Sequence, residues 1–309
     1  RPSDIAFAPN THDLICKLLS SSLSKPETKI LTTVNEFHSI SRQMKRLDEE
    51  EQYTIDYIDP DSEDFPEKLK LKLINEQYDF IFMSHVFFNT GRVLPNHLIK
   101  LIIDHKKDAL FVLDGYHHYC AIPFDLSVFE DELFYIAGGY KYAQSGEGMC
   151  FMTLPKPCNM RPLFTGWFAS FKDLESPQDR ITFENSGMRF WGATIDLTPF
   201  FRFVAVWEKF EKEGLTILDF HKYIRLRQKE FIQDNPFFLD PIFKNLEAFG
   251  HFLTLDMQTP QQTAQLHQHL DKQSIVTDFR GNSLRFGFAP YQSAEDVQIA
   301  KQALKQFKL

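Results

Sequence analysis

The chain carries only four cysteines in 309 residues, Cys16, Cys120, Cys150 and Cys158, and no two of them form a C-x-x-C pair. Spacing therefore offers no disulfide framework, and Cys120 and Cys150 fall in apolar, strand-like surroundings where a reduced, buried thiol is the usual state. No block of Lys and Arg stands out, and 34 basic residues are set against 42 acidic ones for a formal net charge of −8. Without a basic patch to neutralise a phosphate backbone, nucleic acid is not expected as a partner. A run of about 18 apolar residues, the length that spans a bilayer, is also missing, as is a signal peptide, so no membrane association is expected and a reducing cytoplasmic setting is. There is no internal repeat and no low-complexity tract. The sequence opens at Arg1 rather than at a methionine, so a preceding N-terminal stretch is expected to have been cut or left out.

What is present is an ordinary globular composition, 43% hydrophobic and 25% charged, at a length that predicts one large and one smaller domain. Short β-rich apolar runs occupy Lys29 to Thr33, Tyr53 to Ile58, Asp79 to Phe88, Ala109 to Leu113, Leu133 to Ala137 and Met149 to Leu154. Between them, Asp13 to Leu23, Ser39 to Glu51, Asp64 to Glu76 and Pro95 to Lys106 carry apolar residues at helical spacing. That alternation predicts an α/β fold with a mainly parallel sheet, whose ligand edge lies at the carboxyl ends of the strands. Two long helices follow, Thr198 to Glu213, ended by Gly214, and Leu215 to Gln233. After Pro236, strand-like runs at Phe249 to Leu255, Ser274 to Phe279 and Ser283 to Phe288 and a last helix, Ala294 to Phe307, predict a compact α+β unit. The expected division is 1–213 and 214–309.

Polar residues just beyond a strand carry most of the information in such a fold. Phe111-Val112-Leu113 runs into Asp114-Gly115-Tyr116-His117, and the next strand runs into Gly138-Gly139-Tyr140-Lys141-Tyr142. Alone, Lys141 reads as a solvated loop residue and Asp114 as a cap or turn residue. Together they place an acid and an amine at neighbouring strand ends. An amine that attacks an aldehyde must be partly neutral near pH 7, well below its usual pKa of about 10.4, and a desolvated pocket beside a second cation supplies that shift.

The Asp114-x-x-His117 and Tyr140-Lys141-Tyr142-x-x-Ser145-Gly146 segments resemble the cofactor signature of the class V aminotransferase group, most of all the kynureninases, over nearly the whole chain. The resemblance implies an aspartate-aminotransferase-like fold that binds pyridoxal 5'-phosphate. It assigns Lys141 to the Schiff base, Asp114 to the pyridine nitrogen, His117 to the cofactor site and the Tyr140 hydroxyl to the phosphate. One of the adjacent histidines His117 and His118 is expected to face solvent. Thr11 and His12, at a helix start, would bind the phosphate, although Thr11 could equally cap that helix. Phe37-His38-Ser39 matches a turn whose aromatic ring stacks on the cofactor, with His38 and Ile40 in place of the family's proline and acid. Ser84 would lie near the ring, and Thr90-Gly91 matches the Thr-Gly that follows. Trp167, which could also be a core aromatic, and Thr194, after Arg189-Phe190, would reach the phosphate of a neighbouring subunit, which implies a homodimer with shared sites.

Asp278-Phe279-Arg280 and Arg285 resemble the family's Asp-x-Arg-x-x-x-x-Arg. There the second arginine grips the substrate's α-carboxylate through two parallel hydrogen bonds. No metal is implied. The resemblance implies kynureninase-like hydrolysis of a Cβ–Cγ bond of a 3-acylalanine such as kynurenine. A class V aminotransferase or a β-lyase or desulfurase-like enzyme would share every cofactor residue, and a regulatory protein that binds the cofactor without turnover would keep the fold. A desulfurase also needs a mobile cysteine, and only Cys158 stands in a candidate polar loop.

Overall fold

The computed structural model describes residues 1–22, 27–129, 131–175 and 179–308. The first part alternates as the apolar pattern requires: β1 (Ile5–Ala8), α1 (Thr11–Ser22), β2 (Thr28–Thr33), α2 (His38–Asp48), β3 (Tyr53–Ile58), α3 (Phe65–Asn75), β4 (Phe80–Ser84), α4 (Asn96–His105), β5 (Leu110–Asp114), β6 (Phe134–Gly138) and β7 (Cys150–Thr153). The seven strands form one sheet in the order β1-β7-β6-β5-β4-β2-β3. Strands β3, β2, β4, β5 and β6 run parallel, and β7 is antiparallel to both β6 and β1.

Central strands buried on both faces read as continuous apolar runs, and β4, Phe80-Ile81-Phe82-Met83-Ser84, is buried at every residue. Alternate side chains go to opposite faces. Ile81, Met83, Phe111 and Leu113 pack with Leu69 and Leu73 of α3 and Ile99 and Ile102 of α4. Phe80, Phe82, Val112 and Ile136 pack with Leu14 and Leu18 of α1 and Ile40 and Met44 of α2. The sheet is therefore sandwiched between two helix layers.

The remainder holds α5 (Thr198–Lys212), α6 (Ile217–Ile232), β8 (Phe252–Asp256), α7 (Pro260–Asp271), β9 (Asp278–Arg280), β10 (Ser283–Gly287) and α8 (Ala294–Gln306). Helix α5 ends where the sequence places the break: Gly214 has φ +69° and Leu215 N–H donates to Phe210 O at 2.8 Å, a left-handed cap that a side chain would strain. Capping boxes Thr216/Asp219, Thr259/Gln262 and Ser293/Asp296 start α6, α7 and α8. The antiparallel sheet β8-β10-β9 has its own core, in which Phe231, Leu253, Leu266, Leu284 and Leu304 meet.

Several expectations shift. Strand β1 is apolar throughout but only four residues long, and helix α7 carries too few apolar residues to stand out. The run from Asp79 stops pairing in the main sheet at Ser84, and of Ser274 to Phe279 only the last two residues join a strand. Leu23, the expected end of the first helix, lies outside the described residues. The two sheets are tied where Gly250 N–H donates to Gly91 O at 2.7 Å and Val93 N–H to Ala248 O at 2.8 Å. Among the described residues no helix is long and apolar enough to cross a membrane. The four cysteines are unpaired, and Cys158, expected in a polar loop, is buried among apolar side chains.

Phe82 is fully buried at the centre of the sheet, whereas Leu71 on α3 is 58% exposed. Phe82→Ala should lower the unfolding free energy in urea by about 3–5 kcal/mol, and Leu71→Ala by less than about 0.5 kcal/mol. Equal losses would contradict this layering.

Candidate active site

The parallel register brings strand ends together. Ser84 pairs with Asp114 across β4 and β5, and Asp114 pairs with Ile136 across β5 and β6, two residues before β6 ends at Gly138. Lys141 follows three residues later. Asp114 is buried; one carboxylate oxygen accepts the N–H of Tyr116 at 2.9 Å, and no other hydrogen bond to this side chain occurs among the described residues. Burial pushes its pKa up to about 6, with the Tyr116 N–H and Lys141 pulling the other way.

Lys141 Nζ stands 2.5 Å from His117 Nε2 and faces the rings of Tyr116, Tyr140 and Phe37 at 5.4, 5.5 and 5.9 Å. Burial above all brings its pKa down to about 8, the Arg285 charge acting in the same direction and the Asp114 and Glu147 charges against it. His117 is held well below its ordinary pKa, by burial first and then by Lys141 and Arg285. A neutral imidazole accepts the lysine's N–H at Nε2 when its own proton sits on Nδ1. The amine is thus desolvated and hydrogen-bonded to a neutral partner, the state of a usable nucleophile and base. The loop that carries it closes on itself: Ser145 N–H donates to Gly139 O at 2.8 Å, and a Cβ at Gly139 would lie 1.8 Å from Ser145 Oγ. That hydroxyl is buried with no partner among the described residues.

Facing these strand ends, Arg285 of β10 lies with its guanidinium 4.3 Å from the Phe88 ring and 5.8 Å from that of Phe252. It donates to Phe88 O at 3.0 Å and pairs with Asp278. His117, Tyr140, Lys141, Phe252, Asp278 and Arg285 all line one open cavity of about 1330 Å³. Among the described residues no group of three or more His, Cys, Asp or Glu side chains is arranged to hold a metal ion.

The other sequence candidates divide. Thr11 and His12 open α1, but Asn10 provides the cap, its Oδ1 accepting Asp13 N–H at 2.9 Å, so Thr11 is not the capping residue. The Thr11 N–H lies against the Cys150 thiol, which in turn is 3.8 Å from the Tyr116 hydroxyl. Phe37 precedes α2, 5.0 Å from the Phe88 ring, and Ser39 is half-buried in the first turn of α2. The Ser84 hydroxyl donates to Glu36 at 2.5 Å and its N–H donates to the same carboxylate at 3.2 Å. Trp167 and Thr194 are exposed and do not line the cavity of their own chain. The expectation that one histidine of the 117–118 pair faces solvent fails: His118 is 3% exposed and stacks on His85 with centroids 3.6 Å apart, filling the space beneath the turn with a neutral ring.

Glu36 escaped the sequence reading. It is buried, also accepts the Thr33 hydroxyl at 2.7 Å, and is pushed up to about 7 by burial, with Asp114 adding to the rise. The signal was available, since an acid directly beyond β2 obeys the rule that drew attention to Asp114. Phe252 is an aromatic residue without a motif, Tyr116 lies inside one without an assigned role, Phe88 stands where the family tends to have a polar residue or tyrosine, and only the fold gathers them.

Residues 3–222 match the sequence profile of the aminotransferase class-V family. No curated protein matches the sequence at a significant level. Solved structures share the fold at low identity. C-DES, in a lysine-to-alanine mutant with glycine covalently linked to its PLP cofactor, aligns at 16% identity over 100% of this chain and 82% of its own, with a TM-score of 0.83. The same protein, described as a cystine C–S lyase, aligns in complex with its product cysteine persulfide at 17% identity, 99% and 82% coverage and a TM-score of 0.81. The cysteine desulfurase of Thermococcus onnurineus NA1 aligns at 18% identity over 98% and 79%, with a TM-score of 0.78.

Because folding raises the Asp114 pKa from 3.8 to about 6, the native state binds that proton more tightly than the unfolded chain. Stability therefore falls as pH rises across that interval and stays reduced above it. Asp114→Asn, measured on protein stripped of small molecules, should raise the melting temperature at pH 7, and the gain should shrink as pH is lowered through about 6. An unchanged or lower melting temperature at pH 7 would show that the buried charge is compensated elsewhere.

Proposed function

Because the chain belongs to the aminotransferase class-V family, we propose that it is a pyridoxal-phosphate-dependent enzyme acting on an α-amino acid and eliminating a substituent from the β-carbon. The observation that carries this reading is the desolvated Lys141 amine on neutral His117, one strand away from a buried carboxylate with an oxygen to spare.

The donor set suits the cofactor. Asp114 is a buried acid whose second oxygen lacks a hydrogen bond among the described residues, and a protonated pyridine nitrogen is the partner such a group needs. The Tyr140 hydroxyl and the unpartnered Ser145 hydroxyl are anion donors that would hold a phosphate, together with the N-terminal end of α1, where Asn10 caps Asp13 N–H and the Thr11 N–H rests on a displaceable thiol contact. Phe37 offers a ring face beside Lys141. Bound there, pyridoxal phosphate supplies an electron sink for the bond broken at the substrate's α-carbon.

The chain's residues do the rest. Lys141 would hold the cofactor through Nζ, and the same desolvated amine, when free, is the base placed to take the substrate's α-proton. His117 keeps that amine oriented and neutral. Arg285 binds the α-carboxylate, and the Phe88 and Phe252 rings exclude water from its guanidinium and strengthen the pairing. The leaving group departs from the β-carbon with the electron pair of its bond.

Support for elimination over the carbon–carbon hydrolysis implied by the kynureninase resemblance comes from the solved structures of this fold, a cystine C–S lyase and cysteine desulfurases. A desulfurase that parks sulfur on its own thiol is disfavoured by the cysteines. Cys120, Cys150 and Cys158 are buried, burial raises the pKa of all four thiols, and none lines the cavity. A homodimer belongs to the same proposal: Leu163, Phe164, Trp167 and Phe171 are 60, 63, 43 and 49% exposed, an apolar surface that a second copy would cover, bringing Trp167 and Thr194 to its neighbour's phosphate.

Holoenzyme incubated with L-cystine and with L-kynurenine should give pyruvate and ammonia from the former. L-Alanine plus an aromatic acid from kynurenine, without pyruvate from cystine, would return the assignment to the hydrolase. Transfer of the amino group to an added keto acid would make it a transaminase.

A further inference from the structure

Arg285 already holds a carboxylate. Asp278 stands directly across from it in the β9–β10 ladder and pairs with its guanidinium, while a second donor is fixed on Phe88 O at 3.0 Å. Both residues line the cavity that Lys141 opens into. Both terminal nitrogens are thus engaged, and an incoming α-carboxylate that needs two parallel N–H donors has to take the place of Asp278. Resting on the reading of Arg285 as the carboxylate site, we propose that Asp278 is a resident carboxylate which the substrate displaces from Arg285, so that Asp278 sets the site's affinity for its amino acid.

Two features make the exchange feasible. The Asp278 side chain is 45% exposed, whereas that of Arg285 is 14% exposed, so the aspartate returns to water at little cost while the guanidinium stays in its aromatic slot. Asp278 also has a second partner, Arg280 Nη1 at 3.2 Å, itself 53% exposed and two residues along the same strand, which can keep the displaced carboxylate. The substrate then sees only the fraction of molecules in which Arg285 is released, and its apparent affinity is reduced by that fraction. A half-exposed ion pair is weak, so the reduction is roughly two- to fivefold. A substrate carboxylate that makes two hydrogen bonds outcompetes Asp278, whereas a neutral amide in its place would have to expel a charge without replacing it. Asp278 thereby discriminates for free amino acids.

Calorimetric titration of the holoenzyme with 3-phenylpropanoate, a carboxylate whose ring suits Phe88 and Phe252, tests this. Asp278→Asn should bind the probe roughly two- to fivefold more tightly than the wild type. Arg280→Gln, which removes the alternative partner, should bind it more weakly. Equal or weaker binding by Asp278→Asn overturns the inference, because Asp278 then merely orients Arg285. If the wild type binds the probe, Arg285→Gln does not and Asp278→Asn gains nothing, this inference alone fails. If Arg285→Gln binds as well as the wild type, the reading of Arg285 fails with it.

Discussion

The parallel register of β4, β5 and β6 is the constraint on which the site depends. Because Ser84, Asp114 and Ile136 lie in one row across the sheet, the three strands end nearly level and their loops must rise from the same edge. Asp114 is the last residue of its strand and is fixed by the ladder, whereas Lys141 stands three residues beyond β6 on a loop pinned by the Ser145–Gly139 hydrogen bond. A slip of one residue in β5 would send the carboxylate to the opposite face. The dense packing of Phe80, Phe82 and Val112 on one side and Ile81, Met83 and Leu113 on the other makes that slip prohibitive.

That rigid edge bears an unusual density of buried ionisable groups. Asp114 and Glu36 are both raised by burial, Glu36 also by the Asp114 charge, Lys141 and Arg285 are both lowered, and His117, His118 and His85 are kept neutral. Each charge is partly compensated: Glu36 by three hydrogen bonds, Arg285 by Asp278, a carbonyl and two rings. Asp114 is the least satisfied. A fold that tolerates an undersatisfied buried acid gives up stability at a point where a cationic ligand would recover it, and functional sites are where such exchanges concentrate.

Much of this arrangement was legible in the sequence, because buried parallel strands betray themselves as apolar runs and because strand-end polar residues are few. The Asp114 and Lys141 pairing follows from that rule together with the class V resemblance. Strand β1, with four residues of which two are buried, and α7, whose buried face is Thr263, Leu266 and Leu270, lie below what periodicity resolves. Glu36 was hidden by position rather than by chemistry, since it precedes a motif that drew attention to the next residue. His118 was misjudged because adjacent residues in a strand or helix diverge, whereas the turn after β5 folds both histidines inward, one onto Lys141 and the other onto His85. The aromatic slot around Arg285 joins Phe88 to residues more than a hundred positions away, and only tertiary structure makes such a contact.

The central claim is that Lys141 carries the cofactor. Protein incubated with pyridoxal phosphate, reduced with borohydride and digested should yield a single pyridoxyl-modified peptide, with the modification on Lys141. Modification spread over surface lysines, or confined to a lysine other than Lys141, would contradict the account.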